Sequence, residues 1–235
     1  FVQASTLENA LDDDVLLVSI MAVNNEIGTI QGIEGLSRIA KNYGAVFHCD
    51  AAQAPVATDL SLFAGYLDML SLSAHKMYGP KGIGAVYIAR ELHERIEPLI
   101  YGGGQQNGLR SGTTPVSLCV GMGAAADIFT DATTEDRRKE LRHKRDRFVT
   151  GLMRLAWPIT VNGPEGQARH PGNANIAFAG FAAHDVLAAL QPHVAAATGS
   201  ACTSGIPEPS HVLKAIGMNS DEAESSIRFS LGFAT

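Results

Sequence analysis

Lys76 stands in Ser73-Ala74-His75-Lys76-Met77-Tyr78-Gly79-Pro80-Lys81-Gly82, just past an apolar run and ahead of a Gly/Pro turn. Alone, a lysine in a loop is a solvated charge. Asp50, however, closes a second apolar run, Ala45 to Cys49, which places both groups above the edge of one sheet, at the strand ends where such sheets bind ligands. An amine that can bond an aldehyde, with a carboxylate that keeps a pyridinium nitrogen protonated, is the pair that pyridoxal 5'-phosphate (PLP) chemistry needs, because the cationic ring withdraws electrons from a substrate's Cα. Ser73 and His75 alternate along the approach to Lys76 and offer a hydroxyl and an imidazole to a phosphate. A second segment, Thr198-Gly199-Ser200-Ala201-Cys202-Thr203-Ser204-Gly205, sets one cysteine among small residues. It leaves two readings open, a thiol on an exposed loop that reaches a ligand and withdraws, or a small residue in a turn.

Other chemistries find less support. His48 with Asp50 is a fragment of a metal site at most, with no further cluster of ligands. Gly79 to Gly84 lacks the spacing of a phosphate-binding loop. Cys49 and Cys119 fall inside apolar strand and helix patterns and read as packing residues. With three scattered cysteines and no C-x-x-C pair, neither a disulfide framework nor a zinc knuckle is indicated, and a reducing, cytoplasmic compartment is expected. The net charge is −6, and basic residues gather only between Arg137 and Arg147, which argues against nucleic acid as a direct partner. No apolar run approaches the ~20 residues of a membrane span.

The elements that must carry these residues follow from periodicity. Val15 to Ala22 is a β-branched apolar run that ends at Asn24-Asn25-Glu26, and it predicts a buried strand. Ile33, Leu36, Ile39 and Ala40 recur at helical spacing up to Gly44, a C-cap. Strands are predicted at Ala45 to Cys49, Asp68 to Ser73 and Gly84 to Ile88, with Lys76 in the turn between the last two. Strand, helix and strand on short links is the grammar of an α/β fold with a mostly parallel sheet. Pro115 to Phe129 predicts a buried helix rich in Gly and Ala, and Thr134 to Leu155 a charged amphipathic one with Leu141, Phe148, Leu152 and Leu155 inward. Beyond Trp157 the elements shorten into an α+β pattern: strands at Asn175 to Phe178, Val194 to Ala197 and Ile227 to Leu231, helices at Ala183 to Leu190 and Ser210 to Ile216. Two domains are expected, 1–133 and 134–235, the second carrying the cysteine loop.

Asn24-Asn25-Glu26-Ile27-Gly28, His48-Cys49-Asp50-Ala51-Ala52-Gln53, the Ser73 to Gly82 segment, Arg110-Ser111-Gly112-Thr113, Gly199-Ser200-Ala201-Cys202-Thr203-Ser204 and Ser226-Ile227-Arg228-Phe229-Ser230 follow one another in an order that resembles cysteine desulfurases of the NifS/IscS type. These are class V aminotransferases of the PLP fold-type-I group, and they take sulfur from L-cysteine to leave L-alanine and an enzyme persulfide. The resemblance implies a partial PLP-binding large domain followed by a small C-terminal domain. It makes Lys76 the lysine bonded to the cofactor and Asp50 the partner of the pyridinium. Gln53 would hydrogen-bond the phenolate oxygen, Asn25 would lie beside the ring and the substrate, and Ser73 and His75 would bind phosphate, His75 also serving catalysis. Thr113 resembles the residue that reaches the other subunit's phosphate, which implies a homodimer. Arg228 resembles the guanidinium that holds the substrate carboxylate, and Cys202 the nucleophile, on a loop like that of the long-loop branch.

The family's earlier portion, which supplies a ring-stacking imidazole and a phosphate-binding turn, has no counterpart before Phe1, so the chain is expected to be N-terminally incomplete. Gln106-Asn107 stand where the family commonly has Glu-Arg. The resemblance implies a sulfur-acceptor protein as partner, in iron-sulfur cluster assembly or thio-modification. Selenocysteine lyase, an aminotransferase, and a truncated module that only docks partners are the rival readings.

Overall fold

Four short strands on one side of the chain and four on the other nucleate separate sheets in the computed structural model, which describes residues 1–199 and 209–235. Internal contacts divide the chain accordingly. One unit comprises Phe1–Val23 and Gln31–Thr134, and the other comprises Asn24–Ile30 and Glu135–Thr235.

In the first unit the elements run α1 (Ala4–Glu8), β1 (Leu17–Met21), α2 (Ile33–Asn42), β2 (Val46–Asp50), α3 (Ala54–Ala57), β3 (Met69–Ser73), β4 (Gly84–Ile88) and α4 (Val116–Thr130). The sheet order is β1-β2-β3-β4, with β1, β2 and β3 parallel and β4 antiparallel to β3. Parallel neighbours need crossovers, and α2 provides the first of them. Its buried stripe, Ile33, Leu36, Ser37 and Ala40, follows the 3.6-residue period, and Gly44 takes the positive φ of +77° that lets the chain turn into β2. Strand pleating then sorts the side chains into two faces. Val18, Phe47, Cys49 and Leu70 lie on the buried face, and Ser19, His48, Asp50, Ser71 and Ser73 share the other.

The predicted buried helix is α4, and most of it is not buried. Val116 and Val120 are exposed, and only Ala125 is fully covered. Within the unit the helix meets protein on the side of its small residues: a Cβ on Gly121 would press on Pro80, and Ala125 lies against Gly79. Apolarity all round a helix shows what it can bury, and here only its small-residue side meets protein within the unit. Cys119 is likewise half-exposed rather than a core residue.

The second unit begins with the strap Asn24–Ile30 and continues as α5 (Thr134–Met153, from Glu135 onward), β5 (Ile159–Asn162), β6 (Asn173–Phe178), α6 (Ala183–Leu190), β7 (Ala197–Thr198), α7 (His211–Ala215), α8 (Ser220–Glu224) and β8 (Ser226–Ser230). Its sheet, β5-β6-β8-β7, is antiparallel throughout. One face is apolar: Ala174, Ile176, Ile227 and Phe229 pack against Phe148, Val149 and Leu152 of α5 and Val186, Leu187 and Leu190 of α6. Leu155, expected inward, is exposed beyond the end of α5. The charged run is not wholly a solvated face either, since Arg138 and Arg145 are buried, each paired with a neighbouring acid. Among the described residues no helix is long and apolar enough to cross a membrane, and no cluster of ligands could hold a metal ion.

His170 sits where the strap meets this unit. Its amide donates to the carbonyl of Gly28 at 2.7 Å, and Arg145 Nη1 donates to its own carbonyl at 3.3 Å. Burial, and then the Arg145 charge, lower its pKa from the ordinary 6.5 to about 4, so the ring stays neutral in the fold. The unfolded chain binds that proton first, so the contribution to stability is intact above about pH 6.5 and is lost as pH falls toward about 4. The melting temperature is expected to drop across this window, and less steeply in His170→Gln. Identical pH profiles for the two proteins would contradict an imidazole that the fold keeps neutral.

Candidate active site

On the polar face of the first sheet, Asp50 is the last residue of β2 and sits directly across from Ser71 on β3. One of its carboxylate oxygens accepts the Ala52 amide at 2.9 Å, which fixes the side chain at the strand end. Two residues back on the same face, His48 links the hydroxyls of Ser19 and Ser71 through its ring nitrogens at 2.8 and 3.1 Å. Nothing in the sequence reading singled out that three-residue row. Its signal was the alternation of polar residues in strands otherwise built for burial.

The chain leaves β3 at Ser73 and turns at once. Ala74 to Lys76 form a single 3-10 turn closed by the Met77 and Gly79 amides, which donate to the Ala74 carbonyl at 3.0 and 2.8 Å. Gly79 is glycine for lack of room, since a Cβ there would lie 3.0 Å from that carbonyl and 3.2 Å from Ala125. Tyr78 adopts a positive φ of 66° and stacks on Phe129 with ring centroids 6.1 Å apart. The turn is thus pinned from behind by α4 while its front is exposed. Ser73 Oγ and His75 Nδ1 are 3.0 Å apart, and Lys76 is exposed, with no ion pair among the described residues. Gln53 immediately precedes α3 and is half-buried, and Thr113 is exposed in the loop before α4.

Asn25 and Arg228 come together in the second unit. Sequence reasoning took Asn24-Asn25-Glu26 as the end of the first strand, whereas these residues belong to the strap. The strap lies on the polar face of the antiparallel sheet, where Asn162, Asn175 and Arg228 occupy one row across β5, β6 and β8. Arg228 Nη1 donates to the Asn25 carbonyl at 3.0 Å, and its buried Nε has no partner among the described residues. Asn173 and Asn175 each donate a side-chain N–H to the Glu26 carbonyl, at 3.0 and 3.3 Å, and Asn162 donates to Asn175 Oδ1 at 2.8 Å. Buried asparagines in strands are unfavourable unless satisfied, so this row exists to hold the strap. Cys202 lies outside the described residues.

The class-V aminotransferase family model matches residues 1–235. The chain belongs to that family. It is 41% identical over 231 residues to the cysteine desulfurase IscS of Rickettsia rickettsii (strain Iowa), an alignment covering 98% of this chain and 56% of that protein. A solved NifS-like protein superposes with a TM-score of 0.87 at 35% identity, over 99% of this chain and 60% of its own. SspA, solved in complex with cysteine, gives a TM-score of 0.76 at 34% identity over 98% of this chain and 62% of its own. The chain therefore spans little more than half the length of the curated relatives it matches.

Class-V aminotransferases are PLP-dependent, and the α/β fold seen here is theirs. The donor set of the first unit fits that cofactor: an acceptor at the strand end, an exposed amine on a rigid turn, and a hydroxyl–imidazole pair beside it. Cys49, next to Asp50 but on the opposite face, does not join this set. Burial first, and then the Asp50 charge, push its thiol up to about 12. At pH 8 only about one molecule in ten thousand then carries a thiolate there. Iodoacetamide at that pH is expected to label half-exposed Cys119 and to spare Cys49 until the chain unfolds. Equal labelling of the two in the folded protein would contradict the burial of Cys49.

Proposed function

We propose that this chain forms the lysine- and thiol-bearing part of a PLP-dependent cysteine desulfurase, which converts L-cysteine to L-alanine and passes the sulfur through Cys202 to an acceptor protein. The observation that carries the reading is Arg228. Its guanidinium is held by the Asn25 carbonyl, while its buried Nε lacks a partner among the described residues, and a buried cationic donor left unpaired is costly unless a ligand satisfies it. An amino acid's carboxylate is such a ligand, matching the planar fork with two parallel hydrogen bonds. The desulfurase relatives and the cysteine-bound SspA support cysteine as that amino acid.

When bound, PLP supplies an electron sink for the substrate's Cα. Asp50 would keep the pyridine nitrogen protonated, Gln53 would hydrogen-bond the phenolate oxygen, and Asn25 would lie beside the ring. Ser73 and His75 would hold the phosphate, and Thr113 would reach the phosphate of the partner subunit in a homodimer. Lys76 Nζ takes the proton from Cα and returns one, with His75 beside it as a proton carrier. The Cys202 thiolate attacks the substrate sulfur, so that an S–S bond forms as the Cβ–S bond breaks. The electron pair of the broken bond passes to Cβ, which is protonated to give alanine. The product persulfide is passed on, for iron-sulfur cluster assembly or thio-modification, and a reducing, cytoplasmic setting suits a nucleophilic thiol.

In the complete protein Lys76→Ala is expected to lose both the lysine-bonded cofactor's absorbance and alanine formation from L-cysteine. Its melting temperature should change little, since an exposed loop lysine packs nothing. Arg228→Ala is expected to keep the cofactor while KM for cysteine rises about 10–150-fold, the cost of half a charge-assisted pair. Alanine formed at the parent rate by Lys76→Ala, or an unchanged KM in Arg228→Ala, would overturn these roles. Turnover of selenocysteine but not cysteine, or amino transfer without sulfide, would favour the other class-V activities.

A further inference from the structure

Glu26 is a buried carboxylate, 5% exposed, that none of the roles above uses. Its Oε2 accepts the Ser210 hydroxyl proton at 2.6 Å. That same hydroxyl oxygen accepts the amides of Val212 and Leu213, at 3.1 and 3.3 Å, as the N-cap of α7, so the side chain of Ser210 is fully engaged. The same Oε2 also lies against Gly199, where any Cβ would collide with it. Gly199 directly follows β7, which pairs with β8 at Ala197 and Arg228. One carboxylate oxygen therefore touches the last described residue before the Cys202 segment and the N-cap of the helix that follows it.

The backbone of Glu26 is itself held at both ends. Its amide donates to Asn24 Oδ1 at 2.9 Å, and its carbonyl takes the two asparagine side chains of β6. The preceding carbonyl, of Asn25, receives Arg228. The dipeptide Asn25-Glu26 thus holds the proposed carboxylate-binding guanidinium with one residue, and with the other it bonds Ser210 and packs against Gly199. Ordering two positions eleven residues apart in the chain costs conformational entropy, which a charge-assisted hydrogen bond in a dry site offsets.

We infer that Glu26 is a positioning residue for sulfur transfer: its carboxylate anchors Ser210 and packs against Gly199, and so fixes the residues that flank the Cys202 segment in the sequence. The inference rests on the desulfurase reading for its activity arm only. In the complete protein, Glu26→Ala is expected to keep the cofactor's absorbance and its change on adding cysteine, and to keep KM, while kcat for alanine falls at least about tenfold, the loss of one hydrogen bond to a charged group. Glu26→Gln should recover most of that loss, because its amide oxygen still accepts from Ser210. Ser210→Ala should reproduce the defect, and the double variant with Glu26→Ala should be no worse than either alone. Independently of turnover, the alkylation rate of Cys202 should change severalfold in Glu26→Ala and return toward the parent rate in Glu26→Gln. Unchanged kcat in an active enzyme would overturn the inference, as would an unchanged alkylation rate of Cys202, or a defect in both that Glu26→Gln fails to repair. If the parent protein forms no alanine, the desulfurase reading fails, and the alkylation rates alone still decide for or against Glu26.

Discussion

A carboxylate and a carbonyl of one residue, Glu26, have to be satisfied out of reach of water, and the second unit is arranged around that demand. The asparagines at 173 and 175 supply the carbonyl, Ser210 supplies the carboxylate, and Gly199 leaves room for it. Asn162 in turn satisfies Asn175 and also donates to Ser226 Oγ at 3.0 Å. Removing Ser210 takes away the donor to a buried carboxylate, at a cost of about 1–3 kcal/mol, while the carbonyl is held by two asparagines at once, so the network favours one seating of the strap. Apolar contact adds to it: Ile27 packs with Leu213 and Ala223, and Gly28 turns at a φ of +73°, where a side chain would strike Asn173.

The first unit solves a different problem. Its sheet needs one dry face for stability and leaves the other polar at the carboxyl ends of β2 and β3. Pleating alone puts Asp50 and Cys49 on opposite sides, and so gives adjacent residues opposite chemistry, one carboxylate available to a ligand and one thiol kept protonated by burial. The 3-10 turn after β3 does the rest, holding Lys76 forward with hydrogen bonds and glycine packing behind it. Rigidity comes from the backbone here, and the amine itself remains free to move.

Much of this was legible from the chain. Strands β1 to β4 announce themselves as short, largely apolar runs, α2 by its spacing, and the turn at Lys76 by its Gly and Pro. The strap was not legible, because membership of a distant unit depends on long-range hydrogen bonds from Asn173 and Asn175, and local pattern carries no trace of them. The antiparallel order of the second sheet and the strand Ile159–Asn162 were missed for a related reason: short strands with asparagine on one face look like loops. α4 was misjudged because hydropathy reports what a helix can bury, whereas neighbours decide what it does bury. The one available signal for Glu26 was an acidic residue set in a short motif ahead of an apolar Ile-Gly pair.

The desulfurase account stands on where the sulfur goes. Complete protein given one equivalent of L-cysteine labelled at sulfur, then quenched and mapped by mass spectrometry, tests this most directly. The account predicts label as a persulfide on Cys202, matched mole for mole by alanine. Label on Cys49 or Cys119 with Cys202 unmodified, or pyruvate in place of alanine, would contradict it.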